Sequence, residues 1–275
     1  MLLFRKLKIR EVNTSCKLIG PNIDQAKSYI FRIDGSELKI NLPKHHSSLK
    51  YPTPRTPKRE YSLDNYYLEN SIPSKNGWGS LVCAARSWDF YGPVFAGELG
   101  TLSMVATVDT SRNNKPATSY FHPRYFEQLV AEYVTYHHGE AIYQESQDWL
   151  APSYWKPISR FDCVCASFQV RPTYGIQQYE IVLMLPISDT KLFTLHFTLD
   201  WQFVSSSSTP YSNTTEQHDI SNMEQLCKDI IDSLEIKLSD KALAQQNAAL
   251  NGLEDTSLVS EYPPLKWESN KVVSL

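Results

Sequence analysis

The sequence predicts an α+β fold: an antiparallel sheet with helices packed against it. Three observations predict it. Runs of alternating or continuous apolar residues are joined by short links containing Pro or Gly, and short connections favour antiparallel neighbours. Helical periodicity is strong in only two places, around 126–134 and 223–234. The order of elements, roughly four strands, a helix, three strands and a helix, suits one layer of sheet with helices against it.

The first element is a hairpin. Tyr29, Phe31 and Ile33 alternate with their neighbours, Asp34-Gly35 follows, and Leu38, Ile40 and Leu42 alternate again before Pro43. Asp-Gly between such runs signals a tight turn, because both residues tolerate positive φ. Residues 44–60 carry three prolines, several basic residues and His45-His46, and read as an exposed loop. Leu81–Phe90 and Leu99–Asp109 read as strands separated by Tyr91-Gly92-Pro93, and Ser111–Pro116 reads as a polar turn.

Pro123 suits the first turn of a helix, where its missing N–H costs nothing. Phe126, Leu129, Val130, Tyr133 and Val134 then recur at helical spacing, and Gly139 provides a stop. Residues 147–157, with two prolines and two tryptophans, read as a loop. Phe161–Val170, Gln178–Leu185 and Lys191–Phe203 read as three strands. The second is apolar on both faces, as a central strand would be. The third is polar at Thr194, His196, Thr198 and Asp200 and apolar at the alternate positions, which predicts one wet face. After a Ser/Thr-rich loop over 204–219, Ser221 and Glu224 have the form of a capping box ahead of an apolar stripe from Met223 to Leu234. Residues 1–239 are thus expected to form a single α+β domain with long loops at 44–60 and 204–219. Residues 240–275 are expected to form a short helix and a loosely held C-terminal tail.

The 275 residues are 41% hydrophobic and 21% charged with a net charge of −3. That composition supports a real core and gives no broad attraction to nucleic acid phosphates or anionic lipid. The five cysteines have scattered spacing and read as free thiols. The charges of the N-terminal segment follow its short apolar run instead of preceding it, the wrong order for a secretory signal, and no window is apolar enough for a membrane span. A cytoplasmic protein is expected, with no cofactor.

The sequence contains no Gly-x-Ser-x-Gly elbow and no phosphate-cradling glycine loop. The adjacent histidine pairs, His45-His46 and His137-His138, lack metal-ligand spacing, so no metal site and no catalytic set are assigned. His196 and Asp200, on one face of one strand, are the best acid–base pair on offer and mark the alternative of a hydrolase-like enzyme. The main expectation is a protein partner, because large aromatic residues on loops are typical anchors. Trp149, Tyr154 and Trp155 form one such set, and Trp78 and Tyr91 belong to a second aromatic concentration.

The hairpin of Tyr29–Asp34 with Leu38–Leu42 ending at Pro43, the consecutive long strands, and the closing segment Ile230-Ile231-Asp232-Ser233-Leu234 leading into Glu235-Ile236-Lys237 together resemble small bacterial domains of the Mog1/PsbP-like group. The resemblance covers about two-thirds of the chain. It implies a sheet carrying a final packed helix. It also implies a non-enzymatic role: an adaptor chaperone of a secreted effector, or an immunity-type protein of a toxin system. It transfers no functional residues, because the group shares no catalytic motif.

Overall fold

The computed structural model describes residues 2–47, 53–63, 77–111, 118–140, 142–143, 146–174, 177–202, 204 and 217–267. Most of the turn expected at 111–116 and of the loop at 204–219 lies outside these residues, as does the middle of the loop at 44–60.

Along the chain, the helices are α1 (Leu2–Lys6), α2 (Pro123–His138), α3 (Ser221–Asp232) and α4 (Asp240–Leu250). The strands are β1 (Lys27–Ile33), β2 (Ser36–Leu42), β3 (Glu60–Tyr61), β4 (Trp78–Tyr91), β5 (Glu98–Ser111), β6 (Ile142–Tyr143), β7 (Ser146–Gln147), β8 (Trp149–Pro157), β9 (Ala166–Pro172), β10 (Gln178–Ser188), β11 (Lys191–Trp201) and β12 (Glu235–Lys237). The α+β class is as expected, but the strands form two main sheets instead of one. Six antiparallel strands run in the order β4-β5-β11-β10-β9-β8, and a second sheet runs β12-β2-β1-β3, with β3 parallel to β1. The β1–β2 hairpin turns on Asp34 and Gly35, both at positive φ.

The large sheet is covered on both faces, which explains its sequence. Leu183, Leu195, Phe197 and Leu199 face a core shared with Phe31, Ile33 and Leu38 of the small sheet and with Leu226 and Ile230 of α3. On the opposite face, Phe126, Leu129, Val130 and Val134 of α2 pack on Phe168, Val170, Val182 and Met184. Strand β10 supplies both cores, so its continuous apolar run is what a doubly covered strand requires. Burial of each such side chain contributes about 1.5–3 kcal/mol. That outweighs the start of α2 at His122, which makes no side-chain cap bond.

Three local expectations meet a different geometry, and a fourth, the stop at Gly139, holds with a backbone that is not left-handed. Residues 149–157 are the edge strand β8, not a loop; its register shifts twice, and an edge with bulges accommodates the prolines that obscure it in sequence. The capping box of α3 does not form. Ile220 takes the cap position, the Asp219 carboxylate accepts from the Ser221 amide at 2.9 Å, and Glu224 accepts from the Tyr179 hydroxyl at 2.5 Å. The polar stripe of β11 grows wetter along the strand: Thr194 is buried, His196 and Thr198 are half-buried and Asp200 is exposed. Gly139 ends α2 at a right-handed φ of −67°, and its use is close approach: a Cβ there would meet the Thr135 carbonyl oxygen at 2.5 Å and the Trp267 indole at 3.2 Å.

The last of those atoms belongs to the segment expected to be loosely held. Within it, Leu258, Leu265 and Trp267 pack against the second core beside α2 and β8. All five cysteines are free, and four are buried. Among the described residues no helix is long and apolar enough to cross a membrane.

Candidate functional site

The five aromatic residues singled out from the sequence do not form one patch. Trp78 is 9% exposed and stands edge-on to Tyr133 at 5.3 Å. Tyr91 is buried, and its hydroxyl donates to Asp89 Oδ2 at 3.3 Å. Trp149 is half-buried with its ring 5.3 Å from His138. Trp155 stacks on Phe168, meets Tyr262 at 5.2 Å, and donates its indole N–H to the Val259 carbonyl at 2.8 Å. Tyr154 alone points outward, 69% exposed, from a left-handed backbone at φ 51°.

Around Tyr154 lies a shelf on β8, β9 and β10. Tyr154, Lys156, Ser167, Gln169 and Ile181 line an open pocket of about 430 Å³. Arg171 contacts Tyr154 and Gln169 of that lining. The guanidinium lies 4.7 Å from the Tyr154 ring and 4.9 Å from the Tyr179 ring, and its Nε donates to Gln169 Oε1 at 2.7 Å. Among the described residues no carboxylate pairs with Arg171 or Lys156. Leu150, which is opposite Arg171 in the β8–β9 register, is also exposed, as is Tyr174 just after β9. The sequence offers no local signal for Arg171: only the pairing of β9 with β8 and β10 brings it between two rings.

Imidazoles meet carboxylates elsewhere. The acidic partner of His196 is Glu180 and not Asp200. His196 Nε2 lies 2.8 Å from Glu180 Oε2, and His138 Nε2 approaches the same oxygen at 3.4 Å. Asp200 is four residues along β11, about 13 Å at strand spacing, whereas the β10–β11 register sets Glu180 diagonally beside His196. Burial works against the Glu180 anion, but the hydrogen bonds and charges of the two imidazoles prevail and hold its pKa at about 2. Beside it, burial lowers the pKa of His137 to about 4, helped by His138 and His196. On β5, opposite Leu192 of β11, buried Asp109 accepts from Ser80 at 2.5 Å and Thr107 at 2.7 Å. Burial still raises its pKa.

A second imidazole site is open. Lys6, His45, His46, Asp89, Tyr91 and Glu98 line a cleft of about 440 Å³ at the β4 edge. The Ser87 amide donates to His45 Nδ1 at 2.9 Å, which places the proton of neutral His45 on Nε2. Burial, followed by the charge of Arg86, lowers the His45 pKa. Lys6 Nζ lies 2.5 Å from His46 Nε2, and His46 Nδ1 lies 3.5 Å from the Tyr91 hydroxyl, which passes its own hydrogen to Asp89. Burial and then Asp89 raise the Tyr91 pKa. Among the described residues no group of three His, Cys, Asp or Glu side chains is placed to hold a metal ion. Set against known proteins, the chain matches no family model and no curated sequence.

Proposed function

We propose that the chain is a non-catalytic protein-binding module that docks an acidic segment of a protein partner on the shelf of β8, β9 and β10. Arg171 carries the reading: its guanidinium is held between two tyrosine rings with no carboxylate partner among the described residues. Holding the group in place lowers the ordering cost of binding, and arginine and tyrosine are the residue types over-represented among binding hot spots. An adaptor or an immunity-type protein of a bacterial toxin or secretion system fits such a module. The likeness of the Ile230–Leu234 segment and of the hairpin to the Mog1/PsbP-like group supports that setting.

The test is capture from the native cell with the tagged full chain, repeated with Arg171→Glu and Tyr154→Ala. The expected result is a partner lost with both variants and kept with Tyr136→Ala, an exposed aromatic on α2. A partner held equally by all four proteins, or none in any condition, removes the proposal.

A second reading, a hydrolase-like enzyme, is favoured by the open cleft and not by His196, whose ring is tied to Glu180. Ester or phosphoester hydrolysis that vanishes in His46→Ala would support it. Turnover unchanged by that substitution would dismiss it.

A further inference from the structure

The C-terminal segment is seated like a ligand. After α4 the chain turns through Asn251 and Gly252, the latter at φ +80° with open space where a Cβ would stand. Residues 254–257 are exposed. The following ten residues, Leu258 to Trp267, have no regular secondary structure and lie in a groove between α2 and β8. Pro263-Pro264 at their centre favours an extended backbone and reduces the freedom lost on docking.

The contacts follow the pattern by which aromatic grooves hold proline-bearing peptides. The Trp155 indole donates to the Val259 carbonyl at 2.8 Å, and the Val259 amide donates to Glu127 Oε1 at 2.7 Å. The Tyr262 ring stands 5.2 Å from Trp155. The Leu265 amide donates to the Ala151 carbonyl at 2.8 Å. Trp267 donates its amide to Gln147 Oε1 at 3.2 Å and its indole N–H to Thr135 Oγ1 at 3.0 Å. Every one of these bonds joins the segment to a body residue at least 100 positions earlier, and none depends on the link through Gly252.

We propose that the groove between α2 and β8 is a docking site for an extended peptide of the pattern Leu-x-x-x-Tyr-Pro-Pro-Leu-x-Trp. The chain fills it in cis with its own strap, and the strap of a second copy takes the same place when the first is displaced. Exchange of an identical element is a low-cost route to a dimer, and each bond above is reproduced in it.

The test uses the full chain with a specific protease site inserted after Gly252. The protein is cleaved once folded, and a dye-labelled synthetic peptide of residues 253–267 is added. The expected result is a body that stays folded by circular dichroism, releases its strap on dilution and binds the peptide saturably. Trp155→Phe, which keeps an aromatic ring and removes the N–H, weakens binding about fivefold, the worth of one hydrogen bond. Tyr262→Ala in the peptide weakens it at least as much, and Arg171→Glu in the body leaves it unchanged, which separates this site from the shelf. Three outcomes overturn the proposal: a cleaved body that unfolds as the strap leaves, a folded body that takes no peptide, and equal binding of the Tyr262→Ala peptide.

Discussion

Glu180 and Asp89 both stand on strands of the large sheet with histidines close by, yet their surroundings make them different objects. Glu180 lies under the C-terminal end of α2, and both imidazoles that reach it, His138 and His196, end on one oxygen. Asp89 lies at the wall of an open cleft and is reached through Tyr91, with His46 and then Lys6 beyond. The first arrangement consumes its polar atoms in tying a helix and two strands together. The second lines, with Lys6, His45 and His46, a space large enough for a ligand. Residue type does not distinguish a cross-tie from a site; the number of polar atoms already satisfied by the fold does.

The largest expected effect separates the two directly. Glu180→Ala strands two imidazole N–H groups in a mostly buried place and should cost about 3 kcal/mol in urea unfolding at pH 7. Glu180→Gln keeps an acceptor and should cost less. The acid dependence follows from the sign of the shift. The Glu180 pKa is lowered on folding, so its ionised form adds stability above the ordinary glutamate value of 4.5, and that stability is lost as pH falls towards about 2. The gap between wild type and Glu180→Gln should therefore shrink across that window. A gap that stays constant would mean that the carboxylate is not what the imidazoles hold.

His137 sharpens the same comparison with a smaller effect. Its ring stands 4.3 Å from the Tyr133 ring, and burial lowers its pKa to about 4. The folded chain therefore resists a proton that the unfolded chain accepts near 6.5, and stability falls as pH drops from about 6.5 to about 4. His137→Phe keeps a ring against Tyr133 and removes the titration. Because His137 is exposed on one side, solvent screens the shift, and the gain over wild type at pH 4.5 should stay under about 1 kcal/mol, with nothing at pH 8. Equal acid sensitivity in the two proteins would place the titrating group elsewhere.

What could be read in the sequence was whatever repeats at close range. The β1–β2 hairpin is written in alternation around Asp34-Gly35, β10 in its unbroken apolar run, and α2 in the stripe from Phe126 to Val134. The second sheet was not legible, because β3 and β12 contribute two and three residues and so carry no period. Strand β8 was hidden by prolines that an irregular edge tolerates, so the neighbourhood of Tyr154 was legible as aromatic but not as a strand. Arg171 and Glu180 were invisible for one shared reason: the groups that define them come from other strands and from α2, and only the register of the sheet joins them. Lys6 and His46 illustrate the same limit across 40 positions.

The smallest expected effect is the most demanding of the comparison. If the cleft is a site and not a second cross-tie, its polar side chains contribute little to the fold. His46 is half-buried, and its side chain meets an exposed ammonium at 2.5 Å, a hydroxyl at 3.5 Å, the outer limit for such a bond, and the Tyr91 ring edge-on at 6.1 Å. His46→Ala should then change unfolding free energy by less than about 0.5 kcal/mol. Tyr91→Phe, which removes one buried hydroxyl bond to Asp89, should cost about 1 kcal/mol. Urea unfolding of both variants beside Glu180→Ala sets the three on one scale. Should His46→Ala prove as costly as Glu180→Ala, the cleft is structural, the two regions are alike, and the hydrolase-like reading loses the observation that favours it.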